Sequence, residues 1–218
     1  MKANRGTQRE KSMSSSEFTV VGVDVGGEFK GFHAVALNDR SFEAFHSTSP
    51  EAVLEFTLRR KAAVVAIDAP CNWSRSGASR EAERELARKR ISCFATPSEA
   101  RVRQGGFYQW MLNGESLYRT VEQHYPLFSG NPEQPCCIET FPHAVVCFLG
   151  NGGHPVSARP KSKIRRAALE AKGFETACLR NIDFVDAALC AVTANYFLCQ
   201  DFQKFGNPEE GFIVVPIK

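Results

Sequence analysis

The sequence predicts an α/β domain with a mixed sheet, and three observations support this fold class. Three short apolar or alternating runs near the start are separated by turn residues, as in an antiparallel meander. Two later runs are continuously apolar, as in strands that are buried on both faces. Hydrophobic residues make up 43% and charged residues 23% of the 218 residues, a composition that allows a sizeable core.

Apolar patterning and turn residues define the elements of the first half in order. Strands alternate or are wholly apolar, whereas Asn-Asp and glycine runs mark turns and a proline favours the start of a helix. The predicted elements are a buried strand at 18–27 that runs into a glycine turn, strands at 31–37 and 42–48 separated by Asn38-Asp39-Arg40, an amphipathic helix that begins at Pro50, and a central parallel strand at 62–67.

The second half alternates between a charged, loop-rich stretch and strongly apolar elements. Residues 71–135 mix a charged helix with Gly-, Pro- and aromatic-rich loops, which is typical of an insertion. The other predicted elements are a buried strand at 136–141, a basic helix at about 161–172 that ends at Gly173, a helix at 183–199 that is apolar nearly all round and therefore buried, and a closing strand at 212–216.

The chain therefore divides into a tail and one domain. Residues 1–16 lack apolar periodicity and include three consecutive serines, so a flexible tail is expected there. Residues 17–218 form the predicted domain, with the insertion at about 71–135. No apolar stretch approaches the roughly 20 residues of a membrane span, and the polar start has no secretory core, so a cytoplasmic protein without membrane contact is expected. Its oligomeric state is left open.

The eight cysteines do not predict a disulfide scaffold or a zinc site. The sequence contains no C-x-x-C motif, and five cysteines stand alone among apolar neighbours: Cys71, Cys93, Cys147, Cys190 and Cys199. We interpret them as reduced core thiols.

Charge is distributed unevenly although the formal net charge is only +3. Residues 74–104 carry eight basic and four acidic residues, and residues 159–180 carry seven basic and two acidic ones. Residues 1–16 supply the whole net charge, so residues 17–218 are neutral as a whole. Within residues 17–218, the part outside the two basic arms is therefore acidic and balances their charge. An acidic centre with basic arms suits a metal site that acts on a polyanion, although two solvated, arginine-rich helix faces give the same pattern.

Acidic residues stand at the termini of four predicted elements. Asp24 ends the first strand, Asp68 the fourth, Glu139 lies near the end of the fifth, and Asp183 with Asp186 begins the buried helix. Each has a plain structural alternative: a turn cap, an Asx-turn, or favourable placement at a helix N-terminus. Asp183 and Asp186, however, share one helical face with the small residues Cys190, Thr193 and Ala194, so this face can lie close to the strand ends.

Clustered carboxylates repel one another unless cations neutralise them, and Mg²⁺ or Mn²⁺ prefers such oxygen ligands. Two ions roughly 4 Å apart can polarise a phosphate, lower the pKa of an attacking water and stabilise the leaving oxygen. The sequence offers no competing G-x-S-x-G nucleophile, and Cys136, Cys137 and His143 lack identifiable partners. The acids therefore predict a two-metal hydrolase that acts on phosphodiesters.

Several segments resemble the family called domain of unknown function 429 (DUF429). They are VVGVDVGGEFKGFHAVAL, VAIDAP with CFATP after it, IETFPHA, DFVDAALCAVTA and GFIVVP, spread over about residues 20–216. The resemblance implies an RNase H-like fold and nuclease activity. The last helix is also similar to that of RuvC-type Holliday-junction resolvases, which implies metal ligation by Asp24, Asp68, Asp183 and Asp186.

Glu139 departs from the resolvase pattern because it lies one strand beyond the resolvase acid. We include it in the predicted catalytic set as a ligand, a group behind the ligands, or a residue that orients water. The insertion also has no counterpart in resolvases.

Basic and aromatic side chains supply candidate substrate contacts. Phosphate contacts are predicted for Lys161, Lys163 and Arg166 in one arm and for Arg84 and Arg88 in the other, with solvated or salt-bridged surfaces as the alternative. Gly26 and Gly27 either approach a phosphate or simply form a hairpin turn. Trp73, Phe107, Tyr108 and Trp110 either stack bases or form a small second core, and His143 is either a proton shuttle or an ordinary helix residue.

The leading hypothesis is a nuclease that requires Mg²⁺ or Mn²⁺ and binds DNA or RNA. One alternative is a nucleotide-binding or phosphoryl-transfer protein, since Val23-Asp24-Val25-Gly26-Gly27 is similar to the first phosphate loop of actin-like kinases and ATPases. Another is a nucleic-acid-binding module that has lost catalysis. Cleavage and ATP turnover distinguish these three hypotheses.

Overall fold

Seven strands form one mixed sheet in the computed structural model, which describes residues 18–217. The strand order across the sheet is β3-β2-β1-β4-β5-β7-β6. The predicted tail at 1–16 lies outside the described residues. The strands are β1 (Thr19–Val25), β2 (Phe32–Asn38), β3 (Ser41–Ser47), β4 (Val64–Asp68), β5 (Cys136–Thr140), β6 (Phe202–Asn207) and β7 (Gly211–Pro216).

The strand directions confirm the predicted mixed sheet, with an antiparallel meander followed by parallel strands. β1 pairs with β2 and β2 with β3 in antiparallel fashion, which is the predicted meander. β4 runs parallel to β1, β5 runs parallel to β4, and β7 runs parallel to β5. The closing strand is thus confirmed as β7. The sequence analysis did not predict β6, an edge strand with few apolar residues that pairs antiparallel with β7.

Helices cover both faces of the sheet. One face packs against α7 with α5 and α6 beside it, and the other packs against α1 and α4. The helices are α1 (Pro50–Arg59), α2 (Glu81–Arg88), α3 (Glu99–Arg103), α4 (Gln109–Val121), α5 (Pro142–Asn151), α6 (Lys161–Glu170) and α7 (Ile182–Leu198). Within residues 18–217, no helix combines the length and the apolar character needed to cross a membrane.

The segment between β4 and β5 contains α2, α3 and α4 and a short 3-10 turn at Gly106–Tyr108. α2 is the charged helix predicted in this segment, and the chain turns after it at Arg90, which has a positive φ of 61°. α2 packs against β6 and β7, whereas α4 packs against α1 and β1. The residues predicted as an insertion thus cover the sheet at two separate places.

α7 lies unusually close to the sheet at Gly22 of β1. A Cβ atom at this position would collide with the backbone of Ala187 and Ala191. The expected small face of the helix is present, since Cys190, Thr193 and Ala194 are buried. This close approach places the N-terminal turn of α7 at the strand ends where the predicted site lies.

Candidate metal centre

Three aspartates from three elements meet at the carboxyl edge of the sheet. Asp24 and Asp68 are register partners on the parallel strands β1 and β4, so their side chains leave the sheet side by side. α7 adds Asp186. Each of the three offers a carboxylate oxygen within 4.8 Å of the others. The structure thus brings together three of the four predicted metal ligands.

A second group of donors overlaps the first one. Asp24, His33 and Asp183 also offer ligand atoms within 4.8 Å of one another. His33 lies on β2 directly opposite Asp24 in the antiparallel register, and its Nε2 atom is 4.0 Å from Asp183 Oδ2. Asp24 is therefore common to both groups, and all four predicted aspartates belong to one or both of them.

The N-terminus of α7 is fixed so that both of its aspartates point to this edge. The side chain of Asn181 accepts a hydrogen bond from the backbone N–H of Phe184 at 3.0 Å and caps the helix. Asp183 and Asp186 are one turn apart and therefore share a face. Asp186 is fully buried, and Asp183 is 8% exposed.

Basic side chains contact two of the carboxylates. Lys30 Nζ donates to Asp183 Oδ1 at 2.6 Å, and Lys161 Nζ lies 2.9 Å from Asp186 Oδ2. Arg165 also contacts Asp186. The two lysine side chains are about half exposed, at 51% and 50%, whereas Arg165 is buried. Lys161, which is predicted as a phosphate contact, thus lies beside the acids, and Lys30 and Arg165 are additional cations.

These cations do not fully offset the repulsion among the carboxylates. Burial, followed by the charges of Asp186 and Asp183, raises the pKa of Asp24 from its ordinary value of 3.8 to about 7. Burial and the charges of Asp24 and Asp186 raise the pKa of Asp68 well above the same value. Ionised carboxylates at this edge therefore require more positive charge than the protein supplies.

The donor set fits hard divalent ions. Both carboxylate oxygens of Asp186 are buried, and neither contact with Lys161 or Arg165 has normal hydrogen-bond geometry. Buried carboxylate oxygens without hydrogen bonds are costly unless a cation binds them. Burial lowers the pKa of His33, which favours the neutral imidazole that can act as a ligand. The all-carboxylate group suits Mg²⁺ or Mn²⁺, whereas the group with an imidazole suits a transition-metal ion such as Mn²⁺ better than Mg²⁺.

Comparison with known proteins assigns the family. The family model described as "Protein of unknown function (DUF429)" matches residues 22–210. The chain belongs to the DUF429 family. A comparison with curated proteins found no significant match. Among solved structures, the chain is similar to T. thermophilus RuvC in complex with Holliday junction substrate, with 18% identity and a TM-score of 0.39. That match covers 83% of this chain and 93% of the RuvC chain.

Glu139 of this DUF429 chain lies outside both donor groups. Its Oε2 atom accepts hydrogen bonds from the backbone N–H of Cys71 at 2.8 Å and from Arg80 Nη1 at 2.7 Å, and a second guanidinium nitrogen contacts Oε1. Both side chains are buried, at 4% for Glu139 and 1% for Arg80. Of the three roles expected for Glu139, this geometry fits a group behind the metal ligands.

The predicted phosphate contacts differ in how free they are to bind substrate. Lys163 is exposed on the same helix as Lys161. Arg166 instead donates to the carbonyl oxygens of Thr176 and Leu179, at 2.6 and 2.7 Å, and so fastens α6 to the following loop. Arg84 and Arg88 both pair with Glu81, which is the salt-bridged arrangement considered as the alternative. The sequence could not show which of these four basic side chains are free and which are bound by protein groups, because all four lie on helices.

The glycine turn forms a hairpin, and His143 lies outside the two donor groups. Gly26 donates to the carbonyl oxygen of Gly31 and Gly27 accepts from Lys30 and Gly31, so the turn closes the hairpin between β1 and β2. The position that requires glycine is Gly31, with a φ of 64°. His143 lies in the first turn of α5, outside both donor groups.

Three contributors to the site of this DUF429 chain were missed from the sequence: His33, Lys30 and Arg165. His33 is the cross-strand partner of Asp24, and Lys30 precedes β2 in the same hairpin. The signal that could have found His33 was the register itself, because a short turn between two apolar runs fixes which residues stand opposite each other. Arg165 could have been found from its position one turn after Lys161 on a helix.

Proposed function

We propose that this protein is a divalent-metal-dependent nuclease that hydrolyses phosphodiester bonds with two ions. The observation that carries the proposal is the position of Asp24, whose carboxylate belongs to two overlapping donor groups. A site for two neighbouring ions needs one ligand that serves both. Asp68 and Asp186 would complete the first ion's protein ligands, and Asp183 and His33 those of the second.

Bound Mg²⁺ or Mn²⁺ would supply Lewis-acid activation of the phosphate and of the attacking water. The protein's own residues hold the carboxylates in place before any substrate arrives. Asp24 and Asp68 are fixed by the strand register, and Asp186 is fixed by the close contact of α7 with Gly22. Glu139 would not bind an ion directly. It forms an ion pair with Arg80, the residue that precedes α2.

Lys30 and Lys161 are the side chains best placed to contact substrate phosphates. Each is about half exposed while its ammonium group contacts a site carboxylate. A lysine on a flexible stem can exchange one anionic partner for another without a change in the backbone. We assign phosphate contacts to Lys161, which can exchange Asp186 for a phosphate, and to Lys163, which is exposed. The same role has less support for Arg166, Arg84 and Arg88, because protein groups already bind their guanidinium groups.

The proposed substrate is a nucleic acid, either DNA or RNA. The basic segment 74–104 follows Asp68 in the sequence and the basic segment 159–180 precedes Asp183, and a polyanion gains affinity from such cations by counterion release. The thiols of Cys71, Cys93, Cys136, Cys137, Cys147, Cys178 and Cys190 form no disulfide, which fits the reducing compartment that we propose.

The proposal is tested by incubating the protein with Mn²⁺ or Mg²⁺ and a panel of labelled single-stranded, duplex and branched DNA and RNA. We expect cleavage of at least one substrate, and loss of that cleavage by roughly 1,000-fold or more in Asp186→Asn, because the ligands act as one unit. Asp39→Asn, in the exposed turn after β2, is the matched control and should cleave normally.

The other outcomes identify the competing hypotheses. Binding without cleavage by any metal would contradict the nuclease and support a binding module. ATP turnover in place of nucleic-acid cleavage would support phosphoryl transfer.

A further inference from the structure

An exposed group of aromatic rings lies in the segment that connects α2 to α4. We call Phe94, Phe107, Tyr108 and Trp110 the aromatic cluster. Phe94 is the central ring, with centroid distances of 5.7 Å to Phe107 and 5.8 Å to Trp110. Phe94 is nevertheless 46% exposed and Phe107 71% exposed. Whether Phe107, Tyr108 and Trp110 form a small core or a stacking surface was left open by the sequence. Trp110 packs against the core, whereas the exposure of Phe94 and Phe107 favours a surface.

The aromatic cluster is continuous with the acidic edge of the sheet. Asp68, Phe94 and Trp110 line one small cavity, which also contains Arg80 and Glu139. Two rings of the cluster therefore border the same cavity as a carboxylate of the metal centre.

The start of α4 is held firmly against this edge. Asn113 Nδ2 donates to the carbonyl oxygen of Gly26 at 2.9 Å, which joins α4 to the turn that follows Asp24. Gly114 lies so close to Ala69 that a Cβ atom there would overlap the alanine side chain. The rings of Tyr108 and Trp110 are thus carried by a segment with a fixed position relative to Asp24 and Asp68.

The charge around the cluster matches a polyanion. Residues 87–109 contain five basic residues and one acidic residue. Lys89, Arg90 and Arg101 are exposed in this segment. Exposed rings and exposed cations within one segment fit a ligand that combines flat aromatic groups with phosphates, which is the chemistry of a nucleic acid strand.

Only a base without a pairing partner can offer its face to these rings, because the bases of a continuous duplex already stack on each other. We propose that the aromatic cluster stacks an unpaired base of the nucleic acid whose backbone lies at the metal centre. The substrate is then single-stranded, or carries unpaired bases next to the cleaved bond. This inference rests on the proposed nuclease function and adds the substrate class to it.

The test uses oligonucleotides that contain the fluorescent base 2-aminopurine, whose emission is quenched by stacking. Binding is measured in the Asp24→Asn background so that no cleavage occurs, and Phe107→Leu is compared with Phe107→Tyr. Leucine keeps an apolar side chain without a flat ring, whereas tyrosine keeps the ring. We expect Phe107→Leu to lose quenching and roughly 5-fold to 100-fold in affinity for single strands, because one stacked base contributes about 1 to 3 kcal/mol to binding. Phe107→Tyr should retain both.

Two controls separate stacking from general effects. Leu58→Ala truncates another exposed apolar side chain, on α1, and should change neither quenching nor affinity. Affinity for a blunt duplex should change less than 2-fold in Phe107→Leu, because duplex binding would rest on phosphate contacts. Unaltered melting temperatures are expected for all variants, since Phe107 is 71% exposed.

The results also separate this inference from the proposed function. Unchanged quenching in Phe107→Leu, or equal losses for single strands and duplex, would overturn the stacking proposal even if the wild type cleaves nucleic acid. Loss of quenching in Phe107→Leu, with no cleavage by the wild type and any metal, would support stacking and contradict the nuclease.

Discussion

Lys161 Nζ lies 2.9 Å from a carboxylate oxygen of Asp186, so a half-exposed cation contacts a fully buried anion. The contact joins α6 to the first turn of α7 and marks the point where the acidic centre opens to solvent. Because the pKa of Asp24 is raised to about 7 despite this lysine, the centre still carries excess negative charge when its acids are ionised. The predictions below follow from that excess charge and from the packing that maintains it.

Stability without metal should fall as the pH rises from about 4 to about 7. Asp24 has a folded-state pKa of about 7 against an ordinary value of 3.8, so the folded protein keeps a proton that the unfolded chain has released in this window. Denaturant unfolding at several pH values measures this effect. The difference between wild type and Asp24→Asn isolates it, and a difference that does not vary with pH would contradict the raised pKa.

Added Mn²⁺ should stabilise the protein more at about pH 8 than at about pH 5.5, since protons compete with the ion for Asp24 and Asp68. Thermal melting with and without millimolar Mn²⁺ checks this expectation. A larger metal-induced shift at the lower pH would be inconsistent with carboxylate ligation.

Gly22→Ala should destabilise the protein by about 1 to 3 kcal/mol or more, because the added methyl group forces α7 away from β1. The same displacement should weaken Mn²⁺ binding, since Asp186 is carried by α7. Gly27→Ala is the matched control: a Cβ atom there meets no atom within 4 Å, so little change is expected. Equal effects of the two substitutions on unfolding free energy would contradict the role of the close helix contact.

Arg80→Leu should cost about 3 to 5 kcal/mol of unfolding free energy, because it leaves Glu139 and Glu83 as buried charges without their guanidinium partner. Arg88→Leu removes an exposed pair with Glu81 and should cost about 1 kcal/mol or less. Chemical denaturation of both variants tests the contrast. A small loss in Arg80→Leu would show that the buried network is dispensable.

Lys163→Glu should weaken nucleic-acid binding and reduce the slope of log affinity against log salt by about 1 to 2, because one phosphate contact becomes a repulsion. Mn²⁺ affinity should stay close to that of the wild type. Arg59→Glu, on α1, is the control for a simple change in net charge. If both reversals weaken binding equally, the effect of Lys163 is nonspecific.

The fold was largely predictable because its strands carry strong local signals. β1 and β4 are continuous apolar runs, and the turns between β1, β2 and β3 are marked by Gly and Asn-Asp residues. β6 escaped prediction because it is a half-exposed edge strand whose conformation depends on pairing with β7 rather than on its own residues.

The acidic cluster was predictable for a related reason: acids at the carboxyl ends of adjacent parallel strands share one edge of the sheet. The partner of Glu139 was not predictable, because Arg80 lies 59 residues away and reaches it only through the fold. Arg84 and Arg166 show the same limit, since only tertiary contacts decide whether a basic residue is engaged by the protein or free to bind substrate.

The central claim is that Asp24 serves two divalent ions, and calorimetric titration of the metal-free protein with Mn²⁺ tests it most directly. We predict two bound ions in the wild type, loss of both in Asp24→Asn, and retention of one in Asp68→Asn, because only Asp24 belongs to both donor groups. Asp39→Asn should bind as the wild type does. Absence of binding heat at millimolar Mn²⁺, or undiminished binding in Asp24→Asn, would contradict the two-metal account.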